Sequence, residues 1–279
     1  MSNASAANVA PAPAVESSPP ADASAFVNEE PVESALVAAQ TLWGRGNLSP
    51  LDHMLGTAVV ANLVPKGELA FIGHHLGLRI HRYAEDTGIW IDAVEAEPAL
   101  SHVHKKKQAK IKLFRWDGGG DDLKKNRYPN CAVFHASAFT ASLDEIYGKC
   151  AAALKAKGMF FVGDVMWTAK PGKDIPLPGG RVLRSLDDHK ATLTRAGLIV
   201  ERTIDMSDNL KAAIYAGLAH STKDLAEWRA LPKRAKDQRK TALLEQLELW
   251  GTICAMIQHR VLCVTGLIGS KQPGTSGTA

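Results

Sequence analysis

The sequence predicts an α/β fold: a doubly wound, mostly parallel seven-stranded sheet with helices on both faces. Three observations predict it. Short apolar runs alternate along the chain with longer stretches of helical periodicity, and parallel strands need a helix to return the chain between them. Residues 67 to 98, GELAFIGHHLGLRIHRYAEDTGIWIDAVEAEP, read as strand, glycine-bearing turn, helix and strand, and the second strand ends on Glu95. In such a unit an acid at that place accepts hydrogen bonds from a ribose diol. Finally, 279 residues with 46% hydrophobic content can bury the core that a doubly covered sheet requires.

The elements follow in order. Residues 31 to 40 carry a weak helical pattern in Val32, Leu36, Val37 and Ala39, and residues 51 to 63 a stronger one after the Ser49-Pro50 start. Strands are expected near 69 to 73, 89 to 95, 111 to 115, 131 to 136, 158 to 165, 198 to 204 and 260 to 267. Helices are expected near 76 to 86, 98 to 108, 142 to 156, 186 to 196, 208 to 219 and 237 to 256. Gly158, after Leu154-Lys155-Ala156-Lys157, reads as a left-handed helix stop, and Ser185-Leu-Asp-Asp188 as a capping box. Residues 169 to 180, rich in proline and glycine, read as a loop. Pro232 must break the region after residue 229, beyond which Leu243, Leu247, Trp250, Cys254 and Ile257 form an apolar stripe. That stripe docks on the sheet, with a homodimer interface as the alternative.

Composition divides the chain into a disordered Ala/Pro/Ser-rich tail (1–30), one domain (31–270) and a flexible C-terminus (271–279). The tail lacks the basic start and apolar run of a signal peptide, and no stretch reaches the length of a membrane span. Cys131, Cys150, Cys254 and Cys263 are widely spaced in apolar segments, as reduced packing residues of a cytoplasmic protein would be. Residues 1 to 44 hold five acids and no bases, so the net charge of +4 leaves the rest distinctly basic, with clusters around Lys105, Lys124 and Lys233. No aromatic residues interleave with those clusters, so solvated surface is the expectation and nucleic-acid binding is not.

Seven of the ten histidines lie between His53 and His135, but their spacing completes no tetrahedral set, and no metal site is expected. His135 lies just past the fourth strand, where a neutral imidazole would face the crevice of an open α/β sheet. It is the candidate general base. Asp164 and Trp167, after the fifth strand, share that rim.

The 67 to 98 unit resembles the first motif of class I S-adenosylmethionine (SAM) dependent methyltransferases, roughly hydrophobic-Asp-hydrophobic-Gly-x-Gly-x-Gly. Gly73, Gly77 and Glu95 match, whereas Phe71 stands for the acid and His75 for the middle glycine. Leu42-Trp43-Gly44-Arg45-Gly46-Asn47-Leu48-Ser49-Pro50 is similar to the segment that closes over the cofactor in small-molecule methyltransferases of the phosphoethanolamine type. Cys131-Ala-Val-Phe-His135 resembles the fourth core strand, with Cys131 at the usual Asp. Residues 151 to 164 resemble the "LKPGG" helix end and fifth strand, with Ala156 and Lys157 in place of the Pro and first Gly; residues 188 to 205 resemble the last helix, turn and sixth strand.

The resemblance implies a final antiparallel strand and SAM as cofactor. It implies that Gly73, His75, Gly77 and Glu95 line the cofactor, that Asp117 bonds the adenine amino group and that Trp43 caps the pocket. Three substitutions at polar or glycine positions give the expectation of a degenerate SAM site in an impaired or inactive relative that binds a partner or ligand. An active SAM-dependent methyltransferase acting on a small molecule is the alternative.

Overall fold

The computed structural model describes residues 50–63, 67–73, 84–85, 87–95, 110–116, 123–168, 175–177, 181–215, 233, 251 and 254–273. The strand β1 (Leu69–Gly73) is buried at all five positions, as happens at the centre of a sheet covered on both faces. It pairs in parallel with β2 (Ile91–Glu95) and β4 (Tyr128–Phe134). Outside them lie β3 (Ile111–Arg115) beside β2 and β5 (Leu154–Trp167) beside β4, again parallel. The last strand, β9 (Leu262–Lys271), inserts antiparallel between β5 and β8 (Leu198–Asp205). The sheet order is β3-β2-β1-β4-β5-β9-β8. Chain direction across the sheet therefore reverses between β1 and β4, the place where open α/β sheets form their ligand crevice.

Two cores sandwich this sheet. On one face Leu55 and Val59 of α1 (Pro50–Asn62), Leu210 and Ile214 of helical residues 207 to 215, and Cys254 and Ile257 pack over Phe71, Phe134 and Phe161. The other face buries Ile146, Tyr147 and Cys150 of α2 (Leu143–Ala153) and Leu193 of α3 (Leu186–Arg195) against Cys131, Val133, Phe160 and Val162. Strand alternation sends neighbouring residues to opposite cores. Both α2 and α3 open on capping boxes, Ser142 with Glu145 and Ser185 with Asp188, each satisfying orphan amides of the first turn. Arg195 ties the end of α3 to Asp144 at the start of α2 across 2.9 Å.

The expected seven strands are present, and the structure amends their ends. The helix expected over 142 to 156 stops at Ala153, and β5 begins at Leu154, paired with Tyr128 before the ladder resumes at Asn130 and Met159. The left-handed residue is Lys157, at φ 61°, and not Gly158. Gly158 serves a different need: a Cβ there would stand 2.9 Å from the Lys155 carbonyl oxygen. Inside the expected 169 to 180 loop lies β6 (Ile175–Leu177), which pairs antiparallel with β7 (Arg181–Leu183) as a separate small sheet. The β9 strand runs to Lys271, whose buried ammonium donates to the Leu154 carbonyl and the Asn126 side chain. Residues 1–49 and most of the expected 76 to 86, 98 to 108 and 237 to 256 helices lie outside the described residues.

Candidate functional site

Lateral pairing brings the carboxyl ends of the central strands together. Gly73 faces Glu95 on one side and Phe134 on the other; Phe134 then faces Gly163, and Gly163 faces Gly266. The backbone of Glu95 thus stands beside Gly73, as a strand-loop-helix-strand unit requires, and His135 follows one residue past the row. His75, Gly77, Asp117 and Trp43 lie outside the described residues.

Phenylalanine rings shield this glycine row from one side. Phe71, fully buried, packs edge-on against Phe134 at 5.2 Å, and Phe134 against Phe161 at 6.0 Å. The Phe71 ring lies where a Gly73 side chain would go, and Phe161 covers both Gly163 and Gly266. At the position where the methyltransferase motif carries its acid, this chain has an apolar ring in an apolar core. Burying a phenylalanine so contributes roughly 1.5–3 kcal/mol. The Cys131 position differs in kind: its thiol is fully buried, hydrogen-bonded to Cys150 of α2, and held well above its ordinary pKa first by that bond and then by burial. A neutral thiol stands where the fourth-strand acid would bring a charge.

Past β4 the chain turns sharply. His135 takes left-handed backbone angles, φ 54° and ψ 51°, a conformation disfavoured for any residue with a Cβ. Its amide donates to the Gly163 carbonyl at 3.0 Å, and the single helical turn Ala136–Ala138 follows. That turn is tied to β5. The Ser137 amide and hydroxyl donate to the two oxygens of Asp164 at 2.9 and 3.0 Å, and the Val165 amide donates to the same carboxylate at 2.8 Å.

Asp164 and His135 are both wholly buried. Burial pushes the Asp164 carboxyl up, and the His135 imidazole and the three bonds pull it back. A carboxylate with three donors can fix the geometry of the turn that carries His135.

Sequence reasoning missed the neighbouring pair Tyr147 and His189. The Tyr147 hydroxyl meets His189 Nδ1 in a short hydrogen bond that links α2 to α3. Both side chains are fully buried. Burial lowers the His189 pKa to about 3 and raises that of Tyr147, with the Asp164 charge adding to the latter. Leu143, Cys150 and Ala151, one turn from Tyr147, and Leu186 and Leu193, one turn from His189, are the sequence sign that each faces inward.

At the end of β3, Trp116 packs edge-on against Phe139 at 5.0 Å, and the Lys149 ammonium lies 4.7 Å over the indole. This aromatic pair was also missed, since Phe139 joins it only through the turn after β4. Among the described residues no group of three or more His, Cys, Asp or Glu side chains is placed to hold a metal ion. No described helix is long and apolar enough to cross a membrane.

Neither a protein-family model nor a curated protein matches the sequence. Solved structures do match. Phosphoethanolamine N-methyltransferase 2 of Haemonchus contortus, in complex with phosphomonomethylethanolamine and S-adenosylhomocysteine, aligns at TM-score 0.63 and 15% identity over 86% of this chain. The chain spans 57% of the length of that enzyme. A Galdieria sulphuraria protein assigned as a sarcosine dimethylglycine methyltransferase aligns at TM-score 0.55 and 17% identity, over 79% of this chain and 84% of that one. Geranyl diphosphate C-methyltransferase of Streptomyces coelicolor, bound to Mg2+, geranyl diphosphate and S-adenosylhomocysteine, aligns at 0.54 and 9%, over 79% and 78%. At these identities the likeness is one of fold. The chain has the Rossmann-like fold of class I SAM-dependent methyltransferases, with its seventh sheet strand inserted antiparallel.

Proposed function

We propose that this protein is a methyltransferase-fold protein with a degenerate SAM site, acting by binding a partner or ligand. The observation that carries the reading is Phe71, wholly buried against Phe134 and over Gly73, where the motif's carboxylate would order the loop and favour a cationic cofactor. The buried, neutral Cys131 thiol at the fourth-strand acid position supports the same reading. The described residues at these two positions fit a sulfonium cofactor poorly, because neither offers charge or a strong acceptor.

The second reading, an active SAM-dependent methyltransferase on a small molecule, is favoured by the Haemonchus and Streptomyces structures, each a complex with S-adenosylhomocysteine. SAM would then supply the methyl group. Gly73, His75 and Gly77 would border its methionine end, Glu95 its ribose, Asp117 its adenine, and Trp43 would cap it. His135 would hold the substrate proton, positioned by its left-handed backbone at the turn that Asp164 ties to β5.

Calorimetric titration of the full chain with SAM and with S-adenosylhomocysteine separates the two. No heat of binding up to millimolar ligand is expected. Submicromolar binding of either would overturn the degenerate-site reading, and its loss in Glu95→Ala would place the ligand in the crevice, since two ribose hydroxyls would be left unpaired.

A further inference from the structure

The far edge of the sheet carries a groove of about 550 Å3 that lies away from the crevice. It is lined by six consecutive residues of β8, 198 to 203, with Lys190 and Thr194 of α3 and Gln272. Consecutive lining is informative. A groove on one face of a strand is bordered by alternate residues, because neighbours point to opposite faces, so a groove bordered by all of them runs along the strand's lateral edge. That edge is open: among the described residues β8 pairs only with β9. An open edge presents a row of amides and carbonyls ready to pair with another strand.

Charge and shape restrict what can pair there. Arg202 bonds the neutral side-chain carbonyl of Asn62, which leaves its charge uncompensated by that bond, and Lys190 adds a second cation. The one acid of the groove, Glu201, accepts from Ser270 at 2.5 Å on the β9 side. Ile199, 44% exposed, supplies an apolar contact at the start of the groove. The ladder between β8 and β9 slips between Val200 and Arg202, a bulge that twists the edge and confines pairing to a short segment.

We propose that the β8 edge is a docking site for an extended acidic peptide segment of a partner protein, which adds to the sheet as a further strand. Main-chain bonds to β8 supply the affinity and Lys190 and Arg202 select acidic side chains. The proposal does not depend on whether the crevice binds SAM.

Fluorescence anisotropy of the full chain with a capped, labelled peptide of alternating Glu and Val tests it, with the Lys-for-Glu peptide as the comparison. The acidic peptide is expected to bind at least about tenfold more tightly than the basic one, and K190E with R202E to remove that preference. Backbone N-methylation of the acidic peptide keeps the test independent of the protein's folding. Alternate residues of an added strand turn their amides to the same side, so methylating one alternate set should abolish binding while methylating the other is tolerated. Absence of binding, equal binding of the acidic and basic peptides, or equal effects of the two methylation sets would each overturn the proposal.

Discussion

The ring of Phe71 occupies the space that a side chain at Gly73 would need, with two of its carbons 2.7 and 2.8 Å from where a Cβ would stand. The Phe134 carbonyl oxygen closes the same space at 3.2 Å. Residue 73 is therefore glycine for packing reasons of this chain, whatever loop follows it. Gly73→Ala is expected to destabilise the fold by about 1–3 kcal/mol, and trimming the ring in Phe71→Leu should relieve part of that cost in the double variant. Urea denaturation of the two single variants and the double gives the coupling; additive losses would show that ring and glycine do not compete for space.

Reintroducing the motif's acid, Phe71→Asp, is expected to unfold or severely weaken the protein. It removes a fully buried ring, a truncation that costs about 3–5 kcal/mol once the cavity left behind is included, and leaves a carboxylate among phenylalanines. A thermal midpoint equal to that of the unaltered protein would contradict the packing assigned to Phe71.

Asp164→Ala should cost about 3 kcal/mol or more, because three donors of Ser137 and Val165 lose one acceptor at a buried site. Ser137→Ala, which keeps the amide bond, should cost about 1 kcal/mol. Amide exchange at residues 135 to 138 should quicken in the first variant far more than in the second. Equal protection in both would separate the turn from its carboxylate.

Lys157 sits at φ 61°, so Lys157→Gly is expected to stabilise the protein by up to about 1 kcal/mol despite glycine's greater unfolded-state entropy. This is the position at which the resembling methyltransferase pattern places its first glycine. A lower chemical-denaturation midpoint would count against left-handed strain at the site.

His189 sets an acid sensitivity. Its folded pKa, about 3, lies below the unfolded value of 6.5, so its neutral form contributes stability above pH 6.5 that is lost as pH falls toward 3. The slope from this group is at most about 1.4 kcal/mol per pH unit. Asp164 acts with the opposite sign: its raised carboxyl favours the fold at low pH, and that contribution is lost as pH rises through its folded pKa. Comparing the unaltered chain with His189→Phe at pH 7 and 4.5 isolates the histidine, and the variant should lose less stability on acidification. Equal losses would place the acid sensitivity elsewhere.

Much of this was legible in the chain itself because buried parallel strands are written as local apolar runs. Residues 69 to 73 and 111 to 115 coincide with β1 and β3, and the Ser185–Asp188 box opens α3 as read. What escaped depended on distant partners. The Ser137–Asp164 bonds join residues 27 apart and the Tyr147–His189 bond residues 42 apart, and no local pattern marks either. The stop at Ala153 escaped for another reason: Leu154 is drawn into pairing with Tyr128, a tertiary preference that overrides the helix-forming character of Lys155 and Ala156. His135 was placed correctly at the strand end, yet its complete burial could be read only from the fold.

The position of β9 between β5 and β8 also sets a timetable. On the ribosome β8 emerges long before the only strand it pairs with among the described residues, and the wait, at about 5–20 residues per second, is on the order of several seconds. Throughout it the β5 flank, too, is bare. The nascent chain therefore carries two strand edges that wait for the same partner until residues 262 to 271 appear, so a chaperone that shields extended backbone would act on this protein after β8 emerges and release it once β9 closes the gap.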